Sequence, residues 1–223
     1  MNISVLTSPG GREENQDAAG YVIKDCGVVA CVCDGLGGHG GGRQAASAAK
    51  DAILVCDGTP GDAIRAANES VLAAQTEYPG MRTTALVLAI EKGRAAFAHC
   101  GDTRLYRIRA GQAEQMTLDH SVPEMLVRLG EIDREDIRRH EDRARLTRAL
   151  GMEACRWDEA ECDAVAGDVF LMATDGFWEP VHEEEMARRS AEKPEEMLRL
   201  LEEALLADAT GRYDNYTALV VKL

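Results

Sequence analysis

Four aspartates stand at the ends of the most apolar stretches of this 223-residue chain, and that repetition constrains the fold more than any other feature. Asp34-Gly35 closes the run 26–33 (CGVVACVC), Gly101-Asp102 follows 95–100 (AAFAHC), Thr174-Asp175-Gly176 follows 168–173 (DVFLMA), and Asp214-Asn215 opens 216–222 (YTALVVK). The runs are short and rich in β-formers, so they read as buried strands. A single Asp-Gly is explained by turn chemistry alone. Four such aspartates, each flanking an apolar strand, are explained better if the strand ends converge on one rim. Carboxylates gathered there repel one another and are tolerated best around a cation.

A chain with 45% hydrophobic residues can bury a full core as one domain spanning 1–223. The alanine-rich stretch 42–56 reads as a helix, because alanine loses no side-chain entropy there. A second helix is expected from Thr59-Pro60: Thr59 caps, Pro60 suits the first helical position, and Asp62 returns a capping bond. Ile64, Ala67, Val71 and Ala74 then share one face. Strands at 83–90, 95–100 and 104–108, with a short return at 113–117, are expected to pair in sequence as an antiparallel meander. Residues 121–148 are dense in charge and broken by Gly130, which predicts two short helices in a mobile, solvent-exposed excursion. A helix over 194–208 would bury Leu198, Leu201, Leu205 and Leu206.

Composition narrows the chemistry. Lys plus Arg number 25 against 39 Asp plus Glu, a formal charge of -14, which repels nucleic acid and anionic lipid at long range. Neither is an expected partner. The seven cysteines are odd in number and lack C-x-x-C spacing, so they read as buried free thiols of a reducing compartment rather than zinc ligands or disulfides. No stretch has signal-peptide or membrane-spanning character, and a soluble, cytoplasmic protein is expected. Aspartates without convergent thiols or an H-E-x-x-H pattern favour Mg²⁺ or Mn²⁺ over zinc. There is no G-x-S-x-G elbow, no P-loop, and no cysteine followed six positions on by arginine. Arg12, in a polar segment with Asn15 and Asp17, could grip a phosphate with its planar fork.

At this point the chain resembles the PPM, or PP2C-like, family of metal-dependent serine/threonine phosphatases, most closely its compact bacterial members. The matching pieces are GREENQDA at 11–18, VCDGLGGHGGGRQAA at 32–46, RTTALV at 82–87 and HCGDTRLYRI at 99–108. LDHS at 118–121, LGEI at 129–132, LTRALG at 146–151, MATDGFWEPV at 172–181 and DNYTALVV at 214–221 complete the set, in the family's order.

The resemblance implies an α+β fold, a four-layer α/β/β/α sandwich with two central antiparallel sheets and helices on both outer faces, and a dimetal centre at one end. It implies that Asp34 bridges two Mn²⁺ or Mg²⁺ ions, that the Gly35 carbonyl completes one shell, and that Asp175 and Asp214 hold the other ion. Asp17 would orient water, Asp102 would join Asp175 at a third, weakly bound ion, and Arg12 would bind phosphate. The excursion at 121–148 corresponds to the family's flap. Three departures bear on the site: Gln16 stands where many members have glutamate, Leu36 where animal enzymes carry histidine, and RRHEDRARLTRAL lacks the proline and asparagine of HPxRN. His39 and His120 read as structural or hydrogen-bonding residues, and Trp178 as packing.

The function so implied is hydrolysis of phosphoserine and phosphothreonine in proteins by a water held between the two ions, in a monomer opposing a cognate serine/threonine kinase. Two other readings are a catalytically inactive binding module and a phosphatase of small phosphorylated molecules. The intact aspartate set weighs against the first, since an inactive domain has no need of mutually repelling carboxylates.

Overall fold

The computed structural model describes residues 1–37, 41–208 and 213–223. Two five-stranded antiparallel sheets stack face to face. One has the order β1 (Asn2–Ser8), β12 (Tyr216–Lys222), β11 (Val169–Ala173), β8 (Arg104–Arg109), β9 (Gln112–Gln115). The other runs β10 (Asp158–Asp163), β7 (Arg94–Cys100), β6 (Ala85–Glu91), β3 (Gly27–Cys33), β2 (Ala18–Lys24). A two-residue ladder pairs β4 (Gly35–Leu36) with β5 (Arg82–Thr83) beside the second sheet.

Three apolar clusters make four layers. Between the sheets lie Val28, Ala30, Val32, Leu86, Leu88, Phe97, Leu105, Phe170, Met172, Leu219 and Val221. The alternate residues of the same strands, Cys31, Cys33, Val87 and Ala98, pack under α1 (Gly42–Val55) and α2 (Pro60–Ala74). On the opposite face Leu171, Ala173, Ala218 and Val220 pack under α4 (Asp175–Trp178), α5 (Glu183–Arg189) and α6 (Pro194–Asp208). Both faces of the central strands are therefore covered, which is why they read as continuous apolar runs rather than alternating ones. Among the described residues no helix is long and apolar enough to cross a membrane.

The expected cap of α2 is present in full: Thr59 Oγ1 accepts from Asp62 N at 3.2 Å and Asp62 Oδ2 accepts from Thr59 N at 3.1 Å. Other expectations need correction. The meander breaks after β7, because β8 belongs to the other sheet. Gly101, at φ 111°, turns the chain across the sandwich there, and an added Cβ would strike the Thr84 side chain. The strand expected at 83–90 is interrupted at Thr84, whose N–H and hydroxyl bond the Asp34 backbone instead of a ladder neighbour. Leu206 is 45% exposed, and Met197 takes its place in the buried face of α6.

The excursion does form two short helices, α3 (Val122–Leu129) and a 3₁₀ turn at Arg134–Arg139, but it is anchored rather than fully exposed. Pro123, Glu124 and Ile137 are buried, and Glu124 takes both Arg134 nitrogens, at 2.9 and 3.1 Å. Arg138 clasps Glu183 through two 2.8 Å bonds. All seven cysteines are free as expected, yet only Cys31, Cys33 and Cys100 are buried.

Candidate metal centre

The four strand-end aspartates come together at one end of the sandwich, with Asp17 as a fifth. Asp34 follows β3, Asp102 lies two residues past β7, Asp175 lies two past β11, Asp214 lies two before β12, and Asp17 immediately precedes β2. These strand ends are neighbours in the ladders: Ala18 pairs with Cys33, Ala85 with Cys100, and Ala173 with both Arg104 and Ala218. The antiparallel order thus delivers every carboxylate to the same rim.

Burial and mutual repulsion dominate the electrostatics. Asp17 is pushed up to about 7, first by burial and then by the charges of Asp175 and Asp214, against hydrogen bonds from threonine hydroxyls. Asp175 rises to about 6 through burial and the nearby Asp214. Asp34 and Asp102 are both raised well above the ordinary carboxylate value, by burial and then by Asp175. Glu179, on the same rim, is pushed up to about 7 by burial and Asp175. Asp17 Oδ1 is buried without a hydrogen-bond partner, while its Oδ2 accepts from the Thr174 hydroxyl at 3.0 Å. A donor set of crowded, desolvated carboxylates with one orphaned oxygen fits hard divalent cations.

The backbone frame of the rim is tightly specified. Asp34 O accepts from Thr84 N at 2.8 Å and from Thr83 Oγ1 at 2.7 Å, while Asp34 N donates to Thr84 Oγ1 at 2.9 Å. Gly35 is wedged so that a Cβ would collide with the backbone of Gly42 and Gln16. Trp178 packs in the core as expected, and its Nε1 donates to Asp102 O at 3.0 Å. The Trp178 ring covers the Arg104 guanidinium at 3.4 Å, and Arg104 forks onto buried Asp119 at 2.9 and 2.7 Å.

Arg12 reaches the rim from the loop after β1. Its Nε donates to Asp214 Oδ1 at 3.1 Å and its Nη2 to Oδ2 at 2.8 Å, with both side chains about half exposed. Asn215 holds that loop in place, a role the motif reading missed. Its Nδ2 donates to Pro9 O at 2.9 Å and Glu14 O at 2.8 Å, and its Oδ1 accepts from Gln16 N at 2.9 Å. The signal was an asparagine following the strand-end aspartate, able both to donate and to accept. From the excursion, Arg143 contacts Glu179 at 3.1 Å and weakly offsets the charge of Asp175. Leu36 lies in β4, and His39 falls outside the described residues.

Among the described residues, two groups bring ligand-type atoms within 4.8 Å of one another, His99 with His120 and Asp158, and His182 with Glu183 and Glu184. Neither includes any of the five rim aspartates.

Comparison with known proteins follows the same lines. No family model matches the chain. The protein phosphatase PhpP of Streptococcus pneumoniae is 28% identical over 250 residues, covering 100% of this chain and 98% of the relative. The serine/threonine phosphatase stp of Listeria monocytogenes is 31% identical over 239 residues, covering 95% of this chain and 91% of the relative. Among solved structures, the PPM Ser-Thr phosphatase MsPP from Mycobacterium smegmatis, in complex with cacodylate, superposes with a TM-score of 0.86 at 31% identity, covering 100% of this chain and 98% of that one.

Proposed function

Since the chain belongs to the PPM family of metal-dependent serine/threonine phosphatases, we propose that it hydrolyses phosphoserine and phosphothreonine at the aspartate rim, with Asp34 at its centre. The observation that carries this assignment is the convergence of five aspartates on one rim, where burial and neighbouring carboxylates raise the proton affinity of Asp17, Asp34, Asp102 and Asp175.

In this reading Asp34, the Gly35 carbonyl, Asp175 and Asp214 hold two Mn²⁺ or Mg²⁺ ions, and Asp102 with Asp175 holds a third, weaker one. When bound, such ions supply a Lewis acid for phosphoryl oxygens and lower the pKa of water. Asp17 orients water through its free Oδ1, with Oδ2 anchored on Thr174. Arg12, which forks onto Asp214 here, would be free to offer that fork to the phosphate if Asp214 served a cation, and would neutralise charge on the equatorial oxygens. Gln16 contributes no charge, and its backbone serves as an attachment point for Asn215. With aliphatic Leu36 where animal enzymes have histidine, the protein offers no imidazole at that position to protonate the leaving alkoxide.

The whole chain acts as one phosphatase domain, with residues 121–148 as a flap beside the rim. The Arg143–Glu179 contact supports that placement. Substrates are phosphorylated proteins, their phosphates installed by a serine/threonine kinase, and the enzyme works as a monomer.

The test is phosphate release from phosphothreonine peptides with and without Mn²⁺, beside an Asp34→Asn variant and a panel of small phosphomonoesters. Metal-dependent release from peptides, lost in the variant, is the expected result. Full turnover in chelator-treated buffer would remove the metal assignment, and faster turnover of the small esters would move the substrate class.

A further inference from the structure

The turn that carries Asp102 is gripped by one residue, through its backbone and its side chain, that the proposed chemistry does not use. His120 takes both backbone groups of Gly101: its backbone N–H donates to Gly101 O at 3.0 Å, and Gly101 N–H donates to its ring Nδ1 at 3.1 Å. A backbone N–H can only donate, so Nδ1 holds a lone pair and the ring proton sits on Nε2. That proton points to Asp158 Oδ2 at 3.1 Å. The other Asp158 oxygen accepts from Arg148 Nη1 at 2.7 Å. Arg148 Nη1 also lies 3.1 Å from Nε2, but both nitrogens carry protons in this tautomer, so the contact is not a hydrogen bond.

The ring is fixed in plane as well. His120 stacks on His99 with centroids 4.5 Å apart and 13° between planes, and His99 Nε2 donates to Leu118 O at 2.9 Å. With Nδ1 of His120 taken by Gly101, Nε2 by Asp158, and a guanidinium alongside, this cluster is a hydrogen-bond relay and a poor cation site. On the far side of the turn Trp178 holds Asp102 O, and Thr103 Oγ1 meets Thr84 Oγ1 at 2.6 Å. Asp102 therefore sits in a backbone frame with His120 as one jaw.

We infer that His120 is a positioning residue for Asp102: Asp158, steadied by Arg148, holds its Nε2–H tautomer, and its Nδ1 sets the Gly101 turn that presents the Asp102 carboxylate to the rim. This rests on the reading of Asp102 as a cation ligand. Groups that orient metal ligands without touching the metal change affinity or activity by about 10–100-fold when removed.

The experiment measures Mn²⁺ binding by calorimetry, kcat and KM against Mn²⁺ concentration, and the Gly101 amide resonance. The proteins are the parent, His120→Ala, His120→Asn, Asp158→Ala and Asp102→Ala. His120→Ala should weaken the weakest Mn²⁺ event about tenfold or more, raise the Mn²⁺ needed for half-maximal kcat in step, and shift the Gly101 amide, with KM for peptide little changed. His120→Asn, whose Oδ1 falls near the place of Nδ1, should recover most of both effects. Asp158→Ala, on a half-exposed side chain, should show the same shifts at smaller size and covers the case in which His120→Ala does not fold. If Asp102→Ala responds and the His120 and Asp158 variants do not, the positioning role is wrong and the ligand reading stands. A silent Asp102→Ala removes the ligand, and the inference with it.

Discussion

Arg12 closes a two-bond fork on Asp214, Nε to Oδ1 at 3.1 Å and Nη2 to Oδ2 at 2.8 Å, so a phosphate-binding candidate and a cation-ligand candidate occupy each other. The two roles compete for one carboxylate. With both side chains half exposed, the pair contributes only about 0–1 kcal/mol.

Arg12→Ala should therefore act in two opposite directions. KM for phosphopeptides should rise severalfold as the fork is lost. The Mn²⁺ concentration for half-maximal activity should fall, by no more than about fivefold given the small energy of an exposed pair. Steady-state kinetics across a metal titration reads both. An increase in the metal requirement would show that Arg12 supports the ions instead of competing with them.

Asp34→Asn should cost kcat more than Arg12→Ala, by over ~100-fold, since it touches the ions directly rather than orienting their ligands. The same change removes one member of a mutually repelling set. Metal-free Asp34→Asn should then melt at a higher temperature than the metal-free parent, a stability gained where function is lost. Calorimetry of both apo proteins checks this, and a lower melting point in the variant would contradict the repulsion described here.

The metal-free parent should lose stability as pH rises from 6.5 to 8.5. Asp17 is pushed up to about 7, and Asp34 and Asp102 well above their ordinary value, so the folded chain holds protons that the unfolded chain has already released. Stability falls with pH wherever the unfolded state binds fewer protons. His99 and His120 have the opposite sign: burial lowers both, His120 to about 4, so their contribution is lost as pH falls below about 6.5. The window from 6.5 to 8.5 therefore separates the rim carboxylates, Glu179 at about 7 among them, from the histidines. A fall of at least ~1 kcal/mol, or roughly 2–4 °C in Tm, is expected without metal, and saturating Mn²⁺ should abolish most of it. A flat apo profile would mean that the rim carboxylates are not crowded in solution.

Glu124→Ala should loosen the flap and spare the metal centre. Glu124 is the buried carboxylate that ties α3 to the 3₁₀ turn through Arg134, with Arg128 at 3.4 Å. Limited proteolysis should become faster within 122–139, and peptide KM should change more than kcat on a small phosphate ester. Unchanged cleavage would place the anchoring of this segment elsewhere, in Ile137 and Arg138.

Elements specified by residues close together in sequence are legible in the chain alone. The capping box at Thr59 and Asp62 depends on residues three apart, and the central strands announce themselves because both faces are buried. Where burial is one-sided or absent, the signal fades. β1 and β2 lie at sheet edges with half-buried patterns, and β10 (DEAECD) is acidic at four of its six positions and paired only with β7. Charged edge strands of this kind guard against edge-to-edge pairing, and they carry no hydrophobic period to read.

The site divides in the same way. By itself the sequence determined that aspartates end the core strands, because an apolar run followed by a turn residue is a contiguous pattern. That Asp17 joins them came from resemblance to a family, which also supported the reading of Arg12 drawn from its polar segment. Only the tertiary structure decided that Gly101 sends the chain into the opposite sheet, that Asn215 ties the Arg12 loop to the rim across about 200 residues, and that His120 and Asp158 stand behind Asp102. Strand partners and hydrogen bonds between distant segments depend on which surfaces the collapsed core brings together, and no window along the chain contains both halves of such a contact.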